Sequence, residues 1–436
     1  MNPVDDDLLA RHRAVMPQWL SLYYDKPLEL VSGDGRTVRD ARGFTYLDFF
    51  GGILTTSSAY NVREVVDAIR EQAGRMMHTS TLYLIRPMIE LAERIARLST
   101  IPGAKVFFVS SGSEAVDTAL MLACTARTSN QVLAVRNSYH GRSFAAMSVT
   151  GNRSWSSSSL SPLSVSYVHG GDRRHSPLTS STDEEFITAC ANDLREVIET
   201  TTSGDVACMI AEPIQGVGGF VVPPDGFFGA MKRVLDEYGI LFIADEVQTG
   251  WGRTGEHFWG FQAHGIVPDL FTFAKGLGNG LAIGGVVGRS ELIDSVRSNS
   301  ISTFGGNALA SAGALANLEY IITNDLQSNA LTIGNHLRRE LIARTAQFPI
   351  VGDVRGKGLM IWVELLDSRS LLPSSSAAQF VLEACRQGGV LIGKGGLYNN
   401  VLRIAPPMSV TVEEANVAID VLVDAIASLN SLSITN

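Results

Sequence analysis

The sequence predicts an α/β fold, with a large domain built on a mostly parallel sheet between helices and a smaller α+β domain beside it. Two observations carry this reading. Apolar runs of strand length recur at 105–110 (KVFFVS), 131–136 (QVLAVR), 206–212 (VACMIAE), 240–246 (ILFIADE) and 270–275 (LFTFAK), each followed by a polar turn and a helix-like period. None has the period of two that marks a strand with one wet face, so these strands are expected to be covered on both sides, as parallel strands are.

The last hundred residues read differently. A helical period over 308–323 gives way to shorter strand candidates near 358–365, 390–392 and 401–404, with helices between and after them. The expected division is an N-terminal segment, 1–60, packing with the small domain, then a large domain, 61–320, and a C-terminal small domain, 321–436. The Ser-rich stretch 154–166 and the polar stretch 172–183 read as surface excursions of the large domain. No internal repeat is visible.

A chain of 436 residues can bury a large core and form more than one domain. Lys and Arg number 35 against 44 Asp and Glu, a net charge of −9, which gives no general electrostatic reason to bind nucleic acid or an anionic membrane. The four cysteines, Cys124, Cys190, Cys208 and Cys385, form no CxxC pair; they read as scattered thiols in a reducing compartment, not as a disulfide frame or a structural zinc site. The opening MNPVDDDLLARHR places three acids where a signal peptide needs a basic start and an apolar run, so a cytoplasmic protein is expected. The uncharged stretch 298–318 has the length of a membrane span, but its Ser, Thr, Asn and Gly residues are costly in lipid. It is expected in a buried region or a subunit interface.

Ligands of open α/β sheets collect at the carboxyl ends of strands, and three ends here carry unusual residues. After the first run stand Ser111, Gly112, Ser113 and Glu114. Small residues at a strand-to-helix turn leave backbone N–H groups free for a phosphate; the alternative is a capping box of Ser111 and Glu114 that only starts a helix. Asp245 and Glu246 close the fourth run. An acid fixed there can pair with a ligand cation, or both can be turn residues. Lys275 ends the fifth run and is the only charged residue between Asp269 and Arg289. An apolar setting lowers a lysine pKa and frees the amine as nucleophile or base, unless the side chain snorkels to water. Tyr139, in Tyr139-His140-Gly141 after the second run, presents an aromatic face to a ligand or else packs in the core.

Other signals are discounted. The stretch 388–395, GGVLIGKG, approaches a P-loop, but Gly395 stands where Ser or Thr must hold magnesium. Gly276, Gly278 and Gly280 are too closely spaced for a dinucleotide fingerprint. His257 and His264 read as packing or turn residues, and no metal site is expected.

A phosphate cradle, a strand-end acid and a buried lysine, in that order on a parallel sheet, are the parts that hold pyridoxal phosphate. With these residues the chain resembles the class III aminotransferases of fold type I over about 28–429, and within them the alanine:glyoxylate aminotransferase type two group. The supporting stretches are GFTYLDFFGGI (43–53), SSGSEA (110–115), YHG (139–141), AEPIQGVGG (211–219), ADEVQTGWGRTG (244–255), FAKGLGNG (273–280), STFGGNALA (302–310), GDVRGKGLM (352–360) and LIGKGGLYNNVLRIAPPM (391–408).

The resemblance implies pyridoxal 5′-phosphate as cofactor, with Lys275 as Schiff-base lysine and proton shuttle and Asp245 as partner of the pyridine nitrogen. It implies Gln248 as donor to the ring hydroxyl, Ser111, Gly112 and Ser113 as phosphate cradle, and Tyr139 as the stacking aromatic with His140 beside it. Glu212 is implied as a carboxylate near the cofactor, Thr303 as a phosphate ligand supplied by the neighbouring subunit, and Arg403 as the arginine for the substrate α-carboxylate. The implied enzyme is a homodimer or dimer of dimers that moves an amino group, by a ping-pong mechanism, from an amino acid or ω-amine donor to a small 2-oxo acid such as pyruvate or glyoxylate. A racemase, epimerase or aminomutase of the same fold is the alternative. Two positions depart from the pattern. Val217 stands where many ω-amine-using relatives have a Glu that neutralises the carboxylate arginine, and Ser58-Ala59-Tyr60-Asn61-Val62 replaces a usual Gly-His-x-His-Pro.

Overall fold

The structure, a computed structural model, describes residues 3–178 and 180–435. The ends of the expected N-terminal segment and small domain, and one position of the 172–183 stretch, therefore lie outside the described residues.

Three short strands come first: β1 (Leu30–Asp34), β2 (Thr37–Asp40) and β3 (Thr45–Asp48), an antiparallel meander. The large sheet follows, made of β4 (Ala104–Val109), β5 (Gln131–Val135), β6 (Ser164–Val168), β7 (Cys208–Ala211), β8 (Leu241–Asp245), β9 (Leu270–Phe273) and β10 (Gly284–Arg289) in the spatial order β4-β10-β9-β8-β7-β5-β6. The pairs β5–β6, β5–β7, β7–β8 and β8–β9 are parallel. Only β10 runs against its neighbours, β9 and β4. The C-terminal part holds β11 (Val351–Lys357), β12 (Met360–Leu365), β13 (Val390–Leu391), β14 (Gly393–Gly395) and β15 (Val401–Ile404). Four of these form an antiparallel sheet in the order β11-β12-β15-β14, while β13 pairs in parallel with β3. Arg36, just before β2, forms a bidentate ion pair with Glu414 of the last helix, a second tie between the chain's first and last parts.

The apolar runs become strands for the reason the sequence suggested. Every residue of β7, β8 and β9 is buried, and helices such as Gly112–Arg127 and Asp183–Thr201 supply the apolar cover. Two strands were hidden. Strand β10, GGVVGR, reads as a loop because glycine weakens strands, yet here close packing demands it: a Cβ on Gly288 would come within 2.2 Å of the Leu270 side chain. The end of the Ser-rich stretch forms β6, the sheet edge, where serines can face water.

A third correction concerns 172–183, which is not a free excursion. Arg174 reaches Asp353 at 2.7 Å and His175 reaches Glu364 at 3.2 Å, tying the loop to β11 and β12. The uncharged stretch 298–318 becomes a loop and the first turns of the helix Ala308–Thr323, whose Ala310, Ser311, Ala314 and Asn317 are buried. Among the described residues no helix is long and apolar enough to cross a membrane.

Candidate active site

Strands β5, β7, β8 and β9 share one direction, and β4 shares it too, since β10 reverses against both β9 and β4. Their carboxyl ends therefore lie on one edge. The residues that follow them are Ser111 to Ser113, Tyr139 and His140, Glu212, Asp245 and Lys275, so the topology gathers the candidate set.

Asp245 ends β8 buried and fully oriented. His140 Nδ1 lies 2.7 Å from Asp245 Oδ2, the Thr272 hydroxyl donates to Oδ1 at 3.0 Å, and the Val247 N–H donates to Oδ1 at 3.2 Å. A carboxylate can only accept, so His140 carries its proton on Nδ1. Glu212 accepts from the N–H groups of Tyr139 at 2.9 Å and Gly216 at 2.7 Å, and burial pushes its carboxyl up to about 7. Glu246 is not a turn residue at the surface. It is buried, accepts from the Thr249 hydroxyl and from the N–H groups of Gly260 and Phe261, and is also pushed up to about 7 by burial. One acid of the pair thus serves the site and the other anchors the loop behind it.

Lys275 does not snorkel. Although the residue keeps partial exposure, burial of its amine, with repulsion from Arg403, lowers it to about 8. Its other charged neighbours are Asp245 and Glu212. The backbone at Lys275 has φ +41°, in the left-handed region that a side chain seldom adopts. That conformation is held by a polar clamp which the sequence reading did not anticipate. The Ser57 hydroxyl donates to Gly276 O at 2.5 Å, and Asn317 Nδ2 donates to Gly276 O and Leu277 O at 2.9 Å each. Ser58 donates its hydroxyl to Asn317 Oδ1 at 2.6 Å and its N–H to Asn279 Oδ1 at 3.1 Å. The unusual 58–62 segment therefore begins as a buttress of the lysine turn. A visible signal for it was Asn317, the lone amide on the buried stripe of an otherwise apolar helix.

Both readings of the first strand end hold together. Ser111 caps the helix by accepting from Glu114 N, and Glu114 reaches back to Ser110 N. The first-turn N–H groups of Gly112 and Ser113 still point away from the helix, free for an anion. The Ser113 hydroxyl accepts from Arg142 N at 3.1 Å, which leaves its own O–H, with the backbone N–H, to donate to the cradle. A Cβ on Gly112 would lie 3.3 Å from Val247 and 3.6 Å from Ala274, which sets the cradle beside the Asp245 turn and next to Lys275.

Opposite stands Arg403, buried on β15. Its Nη2 donates to Gln248 Oε1 at 2.9 Å, and its guanidinium lies 4.5 Å from the Phe220 ring centre and 5.2 Å from that of Phe50. Its Nε is buried without a hydrogen-bond partner. Gln248 is pinned flat over Gly216, where a Cβ would meet its amide at 2.2 Å. The Val217 carbonyl accepts from Gly396 N at 3.0 Å, and a Cβ on Gly395 would fall 3.3 Å from that carbonyl and 2.9 Å from Arg403 Cδ; position 217 thus adjoins the arginine. Among the described residues no carboxylate forms an ion pair with Arg403.

Comparison with known proteins decides the family. The model of "Aminotransferase class-III" matches residues 23–426. The chain belongs to the class III aminotransferase family. It is 37% identical to alanine–glyoxylate aminotransferase 2 homolog 2, mitochondrial, of Arabidopsis thaliana, over 96% of this chain and 87% of that one. It is 35% identical to a leucine/methionine racemase of Thermococcus litoralis, over 97% and 96%. Among solved structures, a thermostable (S)-enantioselective omega-transaminase from Thermomicrobium roseum superposes with a TM-score of 0.90 at 34% identity, over 98% of this chain and 99% of that one. The aminotransferase is a fold type I enzyme and uses pyridoxal phosphate.

The site fits that cofactor. Free helix N–H groups suit its phosphate, the oriented Asp245 its ring nitrogen, and the depressed Lys275 amine its aldehyde. His140 acts on Asp245, and Tyr139 packs edge-on against Trp155 with ring centres 5.4 Å apart. Thr303 is exposed, on a loop whose Gly306 packs against Met88 and Phe108. The false P-loop becomes β13 and β14, the wall beside Arg403.

Proposed function

We propose that this aminotransferase takes its amino group from an α-amino acid and passes it to a small 2-oxo acid, pyruvate or glyoxylate, with Arg403 holding the α-carboxylate in both half-reactions. The observation that carries this is the state of Arg403: buried, held by a neutral amide and two aromatic faces, with Val217 in place of a carboxylate that could compete. A planar bidentate cation in a desolvated pocket favours a carboxylate strongly. The named alanine–glyoxylate relative supports the same substrate pair.

When bound, pyridoxal phosphate supplies an aldehyde that condenses with amines and a ring that draws electrons from the donor's α-carbon. Asp245, oriented by His140 and Thr272, would be the acid that pairs with the cofactor's ring nitrogen. Lys275 Nζ, a buried amine lowered to about 8, would hold the cofactor's aldehyde and would be the base placed to take and return the donor's α-proton. Gln248 orients Arg403 on one side and offers its amide N–H groups on the other. The test is a panel of amino donors with pyruvate and glyoxylate, read as formation of the new amino acid.

A racemase reading has its own support in the racemase relatives of similar identity. Incubation with one enantiomer of a donor and no acceptor separates the two. A transaminase stops after one equivalent of keto acid, whereas a racemase turns over and releases the mirror-image amino acid.

We also propose a homodimer with shared sites. Leu84 is 92% exposed and Phe304 60%, and Met76, Met77, Leu82 and Tyr83 are exposed with them. His78 contacts Phe304, and Leu309 N bonds Met77 O, so these residues form one apolar surface beside Thr303 that a second copy would cover. A reducing, cytoplasmic location is proposed on the four free thiols.

A further inference from the structure

The loop 172–175 makes its contacts on the face of the C-terminal sheet that carries Arg403. Register places Arg355 opposite Trp362 and Trp362 opposite Arg403; the next row is Asp353, Glu364 and Val401. Directly opposed residues point to the same side, so Arg355, Asp353, Trp362, Glu364 and Arg403 share one face.

Ionic contacts bind the loop to this face. His175 spans two acids, with Nδ1 2.9 Å from Asp172 Oδ2 and Nε2 3.2 Å from Glu364 Oε1. Arg174 Nη1 meets Asp353 Oδ1 at 2.7 Å. Arg355 pairs with Asp353 and lies 3.6 Å from Asp172. Glu364 is buried and accepts also from Asn400 Nδ2 at 3.4 Å, while Asn400 bonds Leu365 O at 3.1 Å. The two carboxylates, Asp172 foremost, hold His175 protonated, raised to about 10.

From the network the contacts lead to the substrate arginine. The Arg355 guanidinium stacks 4.0 Å over Trp362. Trp362 belongs to the apolar cluster that contains Phe220, the ring facing Arg403. Isolated surface ion pairs contribute little. Here one acid is buried two residues from Trp362, and loss of its cation leaves that acid short of a partner beside the strand that carries Arg403.

We propose that His175 is a positioning residue for Arg403: by clamping the loop 172–175 to Glu364 it fixes Trp362 and β15, and so the height at which the guanidinium meets a substrate carboxylate. This rests on the reading of Arg403 as the carboxylate site.

The test uses the holoenzyme and four single variants, His175→Ala, His175→Arg, Glu364→Gln and Arg403→Ala, with the double variant H175A/R403A. KM is measured for the amino acid and the 2-oxo acid. The rate at which hydroxylamine, an amine nucleophile without a carboxylate, bleaches the bound cofactor is the control. A misplacement of the arginine by a fraction of an ångström to one ångström predicts that H175A and E364Q raise both KM values about ten- to a hundredfold. The hydroxylamine rate stays unchanged, His175→Arg, which keeps a two-pronged cation, recovers most of the loss, and H175A adds nothing in the R403A background. If R403A raises KM while H175A does not, the positioning role is overturned and the carboxylate site stands. If R403A itself leaves KM unchanged, the carboxylate site falls and the proposal with it. If H175A slows hydroxylamine as much as it raises KM, the loop is a general structural element and the proposal is overturned.

Discussion

His140 donates its Nδ1–H to Asp245 at 2.7 Å, and both side chains are buried at the end of the sheet. The Thr272 hydroxyl and the Val247 N–H complete the shell of donors around that carboxylate. A carboxylate so supported is fixed in direction, as an acid must be when its task is to hold a proton on another ring.

Asp245→Asn is therefore expected to bind cofactor and to transfer amino groups far more slowly. Each unit lost from the coupled pKa of the ring nitrogen is worth about 1.4 kcal/mol, roughly tenfold in rate if fully felt, so a change of several units costs orders of magnitude. His140→Ala removes only one of the donors and is expected to cost about tenfold. Single-turnover rates on cofactor-saturated protein measure both; a near-normal rate for Asp245→Asn would show that another acid serves the ring.

Lys275→Ala should abolish the covalent link to the cofactor. Intact-mass measurement after borohydride reduction checks this, and a surviving cofactor adduct in the variant contradicts the assignment. The wild-type chain adds a pH signature. Only the neutral amine attacks an aldehyde, and burial with Arg403 repulsion places its titration at about 8, below the ordinary 10.5. Capture of pyridoxal phosphate by the apoenzyme should thus speed up as pH rises toward about 8 and then level, falling about tenfold per unit on the acid side. A capture rate still climbing through about pH 10 would mean an unperturbed lysine.

Asn317 and Ser58 hold the turn that carries this lysine, and neither touches the reaction. Asn317→Ala takes the side-chain donor from Leu277 O and the acceptor from the Ser58 hydroxyl inside the protein, at about 1–3 kcal/mol for each such group, while Gly276 O keeps the Ser57 hydroxyl. The expected result is lower stability in urea together with a fall in kcat larger than any rise in KM, since the amine and not the carboxylate pocket loses its support. Equal changes in KM and kcat would place the effect elsewhere.

The sheet was legible because a strand buried on both faces has to be an apolar run, and five such runs ended in residues with chemistry. Asp245 and Lys275 stood out for the same reason: a charge at the end of such a run is an exception that needs a cause. What stayed hidden depends on partners far apart in the chain. Ser58 and Asn317 are 259 residues apart, and nothing in TTSS announces a hydrogen bond to a helix amide. The loop 172–175 looked like solvent-facing polarity because its bases, Arg174 and His175, are met by Asp353 and Glu364 and its Asp172 lies beside Arg355, partners that sequence alone does not bring near. Strand β10 was missed because its glycines answer to crowding from neighbours on other strands.

The proposed shared site makes the strongest claim about assembly, and mixing chains tests it. In a two-fold dimer whose loops cross, each site takes Lys275 from one chain and Thr303 from the other. Thr303→Ala chains bind the cofactor phosphate weakly, and Lys275→Ala chains cannot capture the aldehyde, so each parent is poor at limiting cofactor. A mixed dimer then contains one site with both defects and one site with neither. Random re-pairing of equal amounts puts about half of the dimers in the mixed form with one intact site of two, so activity should return to about a quarter of wild type. If the loop instead serves its own chain, each site of the mixed dimer keeps one defect and mixing restores nothing. The discriminating measurement is activity at limiting pyridoxal phosphate before and after subunit exchange, with sedimentation to confirm a dimer; no gain on mixing, or a monomer, removes the shared site.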